Sequence, residues 1–583
     1  MNPSPKRPAP LGSRLAAATL VVIALASPWA FGAVAPRALL LVIAVGLLAV
    51  AAALALGVAR GRGADLALPA LTRWPLLAFV ALALAQLLPL PDAVHRRLAP
   101  GSFSVWRPSE PAARAVLGEA ARPVSIDPQT TLRGAALVAA LGLLALLSAP
   151  ALAERRGATL ALGALGACGL GLSAYAILAR DRFGPLLYGT LPVPTVRPFG
   201  PFVNENHFAG WTSMAALLVA GLAAGLADAV RQRGRDWTAG RRAAPVVFAV
   251  VASLAMALGV LASHSRGGAL ALLIGTVCLL ALVLSRPGGR PTAIAASVSL
   301  VLLLGLAVVS LAPASARERL LSASGASFRL DTWRDALRLA ATSPLLGHGL
   351  GAFHDAYPRF KQGYASVRVE HAENDYMETL AETGVVGLFA ALVALVVLFR
   401  AVAGRARGER SPLVLGAGRG AMAALAALAV HSAFDFDLRI PSNAALGALA
   451  VAMAVASVGG SARALGRGPA AALALGALLL LASVLTLPER PWRAAREEAR
   501  RALAAPEGPV RTLRLLRAEA ALVALLRARP GHAESWLMLA AVRRASGDPS
   551  TAAALARRAL WLDPGRLGLR EAALPLTAAA GDR

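Results

Sequence analysis

The chain of 583 residues is short of almost everything that a soluble enzyme of this size needs. Only 16% of its residues are charged, and lysine is nearly missing: Lys6 and Lys361 are its two lysines. With 57% hydrophobic residues and a mean hydropathy of +0.62, it reads as an integral membrane protein. The two cysteines, Cys168 and Cys278, both lie in apolar runs, which excludes a disulfide framework and a thiolate metal site and leaves them as small packing residues. No HExxH spacing, Walker loop or GxGxxG fingerprint occurs, so no metal, nucleotide or other cofactor is expected.

What is present is arginine. The formal charge of +27 would suggest nucleic acid in a soluble chain. Here the arginines fall in short loops between apolar runs, where they set topology, and no nucleic-acid partner is expected. A span needs roughly 20 apolar residues. Candidates centre near residues 24, 48, 82, 142, 168, 219, 254, 277, 302, 393, 425, 451 and 479, about thirteen in all. Lys6, Arg7 and Arg14 before the first run have the outline of a signal peptide, but the many spans that follow favour a retained helix.

With the N-terminus inside, every inner loop is short and basic, for example Arg60 and Arg62, Arg155 and Arg156, or Arg400 and Arg405. The long segments, 91–132, 180–207, 313–383 and everything after 488, are then outside. All eight histidines fall on that side or at the outer ends of spans. The expected organisation is all-α: transmembrane helices over 1–312, a large outer loop over 313–383, further spans over 384–487, and a soluble tail over 488–583. In that tail, "AESWLMLAAVRRASGDPSTAAALARRALWLDPG" fits a tetratricopeptide unit, and Pro530-Gly531 recurs as Pro564-Gly565, 34 positions on.

Four polar clusters share the outer face. "RPFGPFVNENHFAGW" (Arg197 to Trp211) opens a span, "SHSRGG" (Ser263 to Gly268) is a turn between two spans, the loop from Arg329 runs into "VEHAENDYMETLAETG", and "HSAFDFDLRIPSN" follows another span. Arg266 in a tight turn with Gly267 and Gly268 suits an anion, through paired guanidinium donors and close backbone amides. For Arg197 and Arg439, snorkelling to headgroups is the simple alternative. Asn374 could serve as a helix cap. His371 and Glu373 exceed what capping needs, and both can take a proton from a hydroxyl near neutral pH.

These elements resemble the O-antigen ligase and O-antigen polymerase group of bacterial membrane glycosyltransferases. The resemblance rests on Phe202, Asn204, Asn206, His207 and Phe208; on Ser263, Ser265, Arg266 and Gly267; on Arg329, Trp333, Pro344 to Gly347, Gly349 to Gly351, Phe353, Tyr357 and Pro358; and on Ala372, Asn374, Asp375, Tyr376, Glu382, Gly384 and Gly387. One departure is Glu373 where the family usually has histidine, with His371 two places earlier. Either residue is then the candidate base.

The resemblance implies a multi-pass protein of the bacterial inner membrane. A glycan on undecaprenyl diphosphate would be transferred at the periplasmic face to a hydroxyl of lipid A core, a glycan or a protein, without metal and with inversion. Arg197 and Arg266 would hold the diphosphate, His371 or Glu373 would activate the acceptor, and Asn204, Asn206, His207, Ser265, Arg329, Asn374 and Arg439 would line the site. The tail is expected to meet a protein partner, the outer loop or lipid. Two rivals remain: a polysaccharide transporter or flippase, which needs polar residues through the bilayer, and a membrane-anchored scaffold, which needs neither "SHSRGG" nor "HAEND".

Overall fold

The computed structural model describes residues 8–60, 65–66, 70–184, 186–193, 197–231, 243–284, 326–362, 368–405, 411–458, 463–488 and 491–578. Among these, structure is nearly all helical, with three two-stranded pairings of two residues each. Eleven helices are long and apolar enough to cross a bilayer, from Leu11–Ala33 to Arg467–Leu485. They account for eleven of the expected centres. The segment near 82 forms a 16-residue helix, Ala70–Ala85, whose apolar part Trp74–Ala85 is short for a span. The span expected near 302 and the start of the outer loop, 313–325, lie outside the described residues.

The described chain divides into two compact units, Met1–Leu76 with Ala136–Ser322 and Leu392–Ser483, and Leu77–Ala135 with Ala323–Ala391 and Val484–Arg583. At the centre of the first unit, helices Glu205–Arg231 and Pro412–His431 pack backbone to backbone. A Cβ on Gly221 would stand 2.5 Å from the Gly416 carbonyl oxygen, and one on Gly225 would stand 2.8 Å from Leu413 Cα. In lipid, where apolar side chains gain little by meeting each other, such small-residue contact is what lets helices associate. Most of the residues of Pro441–Val458 are buried, 83%, and it belongs to this centre, whereas in Arg266–Leu284 the buried share is 22%.

The second unit has a large core drawn from three stretches of sequence. Trp106, Ile126, Phe353, Tyr357, Leu526 and Trp536 are buried together in it. Five consecutive helices, Pro491–Ala504, Pro509–Ala528, Ala533–Ala545, Pro549–Leu562 and Leu567–Ala578, make up the tail. Asp548 caps the fourth by accepting the Thr551 amide at 3.1 Å. The tail is tied to the earlier stretches by polar contacts as well: Arg527 Nε donates to the Val116 carbonyl at 2.8 Å, and Arg558 Nη2 to that of Val105 at 2.7 Å.

Candidate functional site

In the first unit, three of the four polar clusters come together at one end of the bundle. "RPFGPF" is a tight turn in which Phe199 and Phe202 exchange backbone hydrogen bonds of 3.1 and 3.2 Å, with Gly200 at φ +58°. Both rings lie against Phe208. Asn204 caps the helix that follows, its Oδ1 accepting the Asn206 amide at 2.9 Å. Arg197 is exposed, and its carbonyl accepts the Glu205 amide. Much of the polarity in this stretch is thus backbone satisfaction at a helix start.

One turn along, His207 is buried with its Nε2 3.5 Å from Asp435. Burial raises the Asp435 carboxyl, but the His207 and His431 charges and the Phe436 amide outweigh it and hold the group below the usual carboxylate range. His431 Nδ1 pairs with Asp437, whose Oδ1 accepts from Asn443 Nδ2 at 2.8 Å. Asn443 Nδ2 also donates to the His207 carbonyl at 3.0 Å. The network reaches the "SHSRGG" turn, since a Cβ on Gly267 would lie 3.1 Å from the His431 ring. Ser265 caps the helix Arg266–Leu284 by accepting the Gly268 amide at 3.1 Å. Arg266, the first residue of that helix, is exposed. A guanidinium therefore stands at a helix start whose position is fixed by buried His–Asp pairs. Arg439, at the end of the short 3-10 turn Asp437–Arg439, is half-buried.

In the second unit, the "PLLGHGLG" loop docks on the helix Asp375–Arg405 at an interruption. Gly384 has φ +64°, and a Cβ there would meet the Leu345 carbonyl oxygen at 2.2 Å. The carbonyls freed by the break are taken up: Ala381 by the His348 amide, and Glu382 by the Gly349 amide at 2.9 Å and by Gln86 Nε2 at 2.8 Å. The loop thereby fixes the start of the helix, where Asn374 Oδ1 caps the Tyr376 and Met377 amides at 3.0 and 3.1 Å.

His371 stands just before that cap. Its Nδ1 lies 2.9 Å from Glu378 Oε1, and the other Glu378 oxygen accepts the Ala372 amide at 2.8 Å. Glu378 is buried, whereas a third of the His371 side chain is exposed. A carboxylate that accepts Nδ1–H sets the tautomer with the basic lone pair on Nε2. Glu373 is placed differently: its backbone is left-handed, φ +54°, and its carboxylate is 3.5 Å from Arg329 Nη2. Glu378 escaped the sequence reading, although Glu378 and Glu382, four residues apart and both buried, form a carboxylate stripe on one helix face.

One His/Asp group among the described residues is compact enough for a metal: Asp127, His354 and Asp355. Arg529 already fills that role. Its Nε is 3.2 Å from Asp127 Oδ2, and it pairs with both Asp355 oxygens and with His354.

Burial lowers His348 and His532 of this unit to about 4. A depressed histidine contributes stability that is present above its unfolded pKa, near 6.5, and lost as pH falls toward 4. The thermal midpoint of the purified protein should therefore drop between pH 7 and pH 4.5. A flat profile would contradict this assignment.

Residues 248–392 match the family model described as O-antigen ligase. No curated protein matches the chain. The matched stretch contains the "SHSRGG" turn, Arg329, the glycine loop and His371 with Glu378. The stretches 197–211 and 431–443 lie outside the match and are joined to "SHSRGG" by packing.

Proposed function

We propose, from the match of residues 248–392 to the O-antigen ligase family model, that this membrane protein is a glycosyltransferase that moves a glycan from a polyprenyl diphosphate to an acceptor hydroxyl. The observation that carries the reading is the His371–Glu378 pair within the matched stretch. His371 Nε2 takes the proton of the acceptor hydroxyl as that oxygen attacks the anomeric carbon. The imidazolium so formed is stabilised by the buried Glu378 carboxylate. The bond from the anomeric carbon to the diphosphate oxygen breaks, and the diphosphate leaves on the carrier lipid; Arg266 and Arg197 are assigned to the diphosphate by their paired-donor chemistry. This reading chooses His371 over Glu373, because Glu373 is held toward Arg329.

A planar fork that grips diphosphate oxygens in pairs is not replaced by a point charge. Arg266→Lys should cost on the order of 10²-fold in kcat with a purified lipid-linked donor. Transfer at the wild-type rate would remove Arg266 from the site.

We place the chemistry and the tail in the periplasm, with undecaprenyl diphosphate as carrier and the tail as a tetratricopeptide-like unit. Support comes from the arginine-rich inner loops and the polar clusters at the opposite ends of the spans. Alkaline phosphatase fused after Arg583 should be active in a bacterial host. Activity of a cytoplasmic reporter at that point would reverse the topology.

A further inference from the structure

A cavity of about 130 Å³, with both polar and apolar walls, opens within the second unit, between the segment that leads into His371 and the tail helices. Its walls include Lys361 and Arg368 from the first, and Glu534, Asp563 and Arg566 from the second. The volume is several times a water's share of roughly 30 Å³. Three cations (Lys361, Arg368, Arg566) face three carboxylates (Asp355, Glu534, Asp563), so the wall favours neither a polyanion nor a metal cation. Asp355 is committed to Arg529, and Arg566 bridges to Glu534. Burial holds the Asp563 carboxyl above its usual range, despite Arg566, Lys361 and Arg368 nearby. Tyr357, Val369 and Leu562 add apolar surface.

Carboxylates together with guanidinium and ammonium groups match one chemistry well. Each hydroxyl of a vicinal diol can donate to a carboxylate while accepting from a cation, and the C–H faces of a sugar ring lie against apolar side chains. We infer that this cavity is a saccharide subsite, built jointly by the tail and the segment before His371, that holds a ring of the glycan undergoing transfer. The inference rests on the transferase reading and adds that the tail recognises substrate directly. Arg368 and Val369 of the wall lie three and two residues before His371, so a ring held here is coupled through a short stretch of chain to the base.

The test is binding without turnover, by saturation-transfer NMR on the full-length protein in detergent. Two probes are used: the oligosaccharide freed by mild acid from the host's polyprenyl carrier, and the deacylated envelope glycolipid that serves as acceptor. Ring protons of one probe should receive saturation. Asp563→Asn and Ala533→Leu, the second filling the cavity without changing charge, should each raise its Kd roughly tenfold or more, with the thermal midpoint unchanged. The probe that responds identifies the source, and the same variants should raise the KM of that substrate more than they lower kcat. No signal from either probe, or equal signals in wild type and both folded variants, overturns the subsite. Binding that persists in a protein unable to transfer glycan would instead count against the transferase reading alone.

Discussion

Replacing His371 with alanine should lower turnover by roughly 10²–10⁴-fold, the usual cost of losing a general base. Glu378→Gln should fall in the same direction, because an amide can present its N–H to Nδ1, favour the wrong tautomer and leave the imidazolium without its counter-charge. Glu373→Ala should stay within about tenfold of wild type, since its carboxylate is engaged 3.5 Å from Arg329 and touches no acceptor in this account. The comparison is made with a purified lipid-linked donor, reading kcat separately from the KM of donor and acceptor. Loss confined to Glu373→Ala, with His371→Ala active, would move the base to the other residue.

The second large effect is on stability. Arg529 is held between Asp127 and Asp355, both almost fully enclosed, and joins the tail to two earlier stretches of the chain. Removing one partner of such a cluster leaves buried carboxylates without compensation, which costs about 3–5 kcal/mol. Arg529→Met should therefore unfold the second unit at markedly lower temperature or denaturant. Adding Asp127→Asn and Asp355→Asn should recover part of the loss, since the orphaned charges are then gone. An unchanged unfolding profile for Arg529→Met would show that the cluster contributes nothing.

Much of this was legible because the bilayer imposes a simple grammar. Apolar runs of about 20 residues and arginine-rich turns mark helices without knowledge of their partners. The "FVNENHFAG", "SHSRGG" and "FDFDLR" clusters stood out as polarity at the ends of apolar segments, and they pack together. Partnership was not legible. Nothing local in "HAENDYMETL" says that His371 turns to Glu378 rather than Glu373, because that choice depends on the Asn374 cap and on the left-handed backbone at Glu373. Likewise one helical-repeat pattern in the tail is visible in the sequence, but not that Trp536 and Leu526 share a core with Trp106 and Phe353. Their contacts run between stretches hundreds of residues apart, and no spacing rule reaches so far. Asn204, Asn374 and Ser265 carry the reverse lesson. Side chains drawn into the candidate site by their motifs are, in the structure, also the caps that hold its helices in place.

On the proposed function, this chain transfers a glycan rather than moving it across the membrane or anchoring other proteins. The most direct measurement reconstitutes the purified protein in vesicles with a labelled polyprenyl-diphosphate saccharide and an envelope acceptor, then follows label, lipid and anomeric configuration together. Label should join the acceptor hydroxyl with inverted configuration, with one polyprenyl diphosphate released for each bond formed, and His371→Ala should abolish both. Donor that crosses the vesicle membrane intact, or stays unconsumed beside a correctly folded protein, would contradict it.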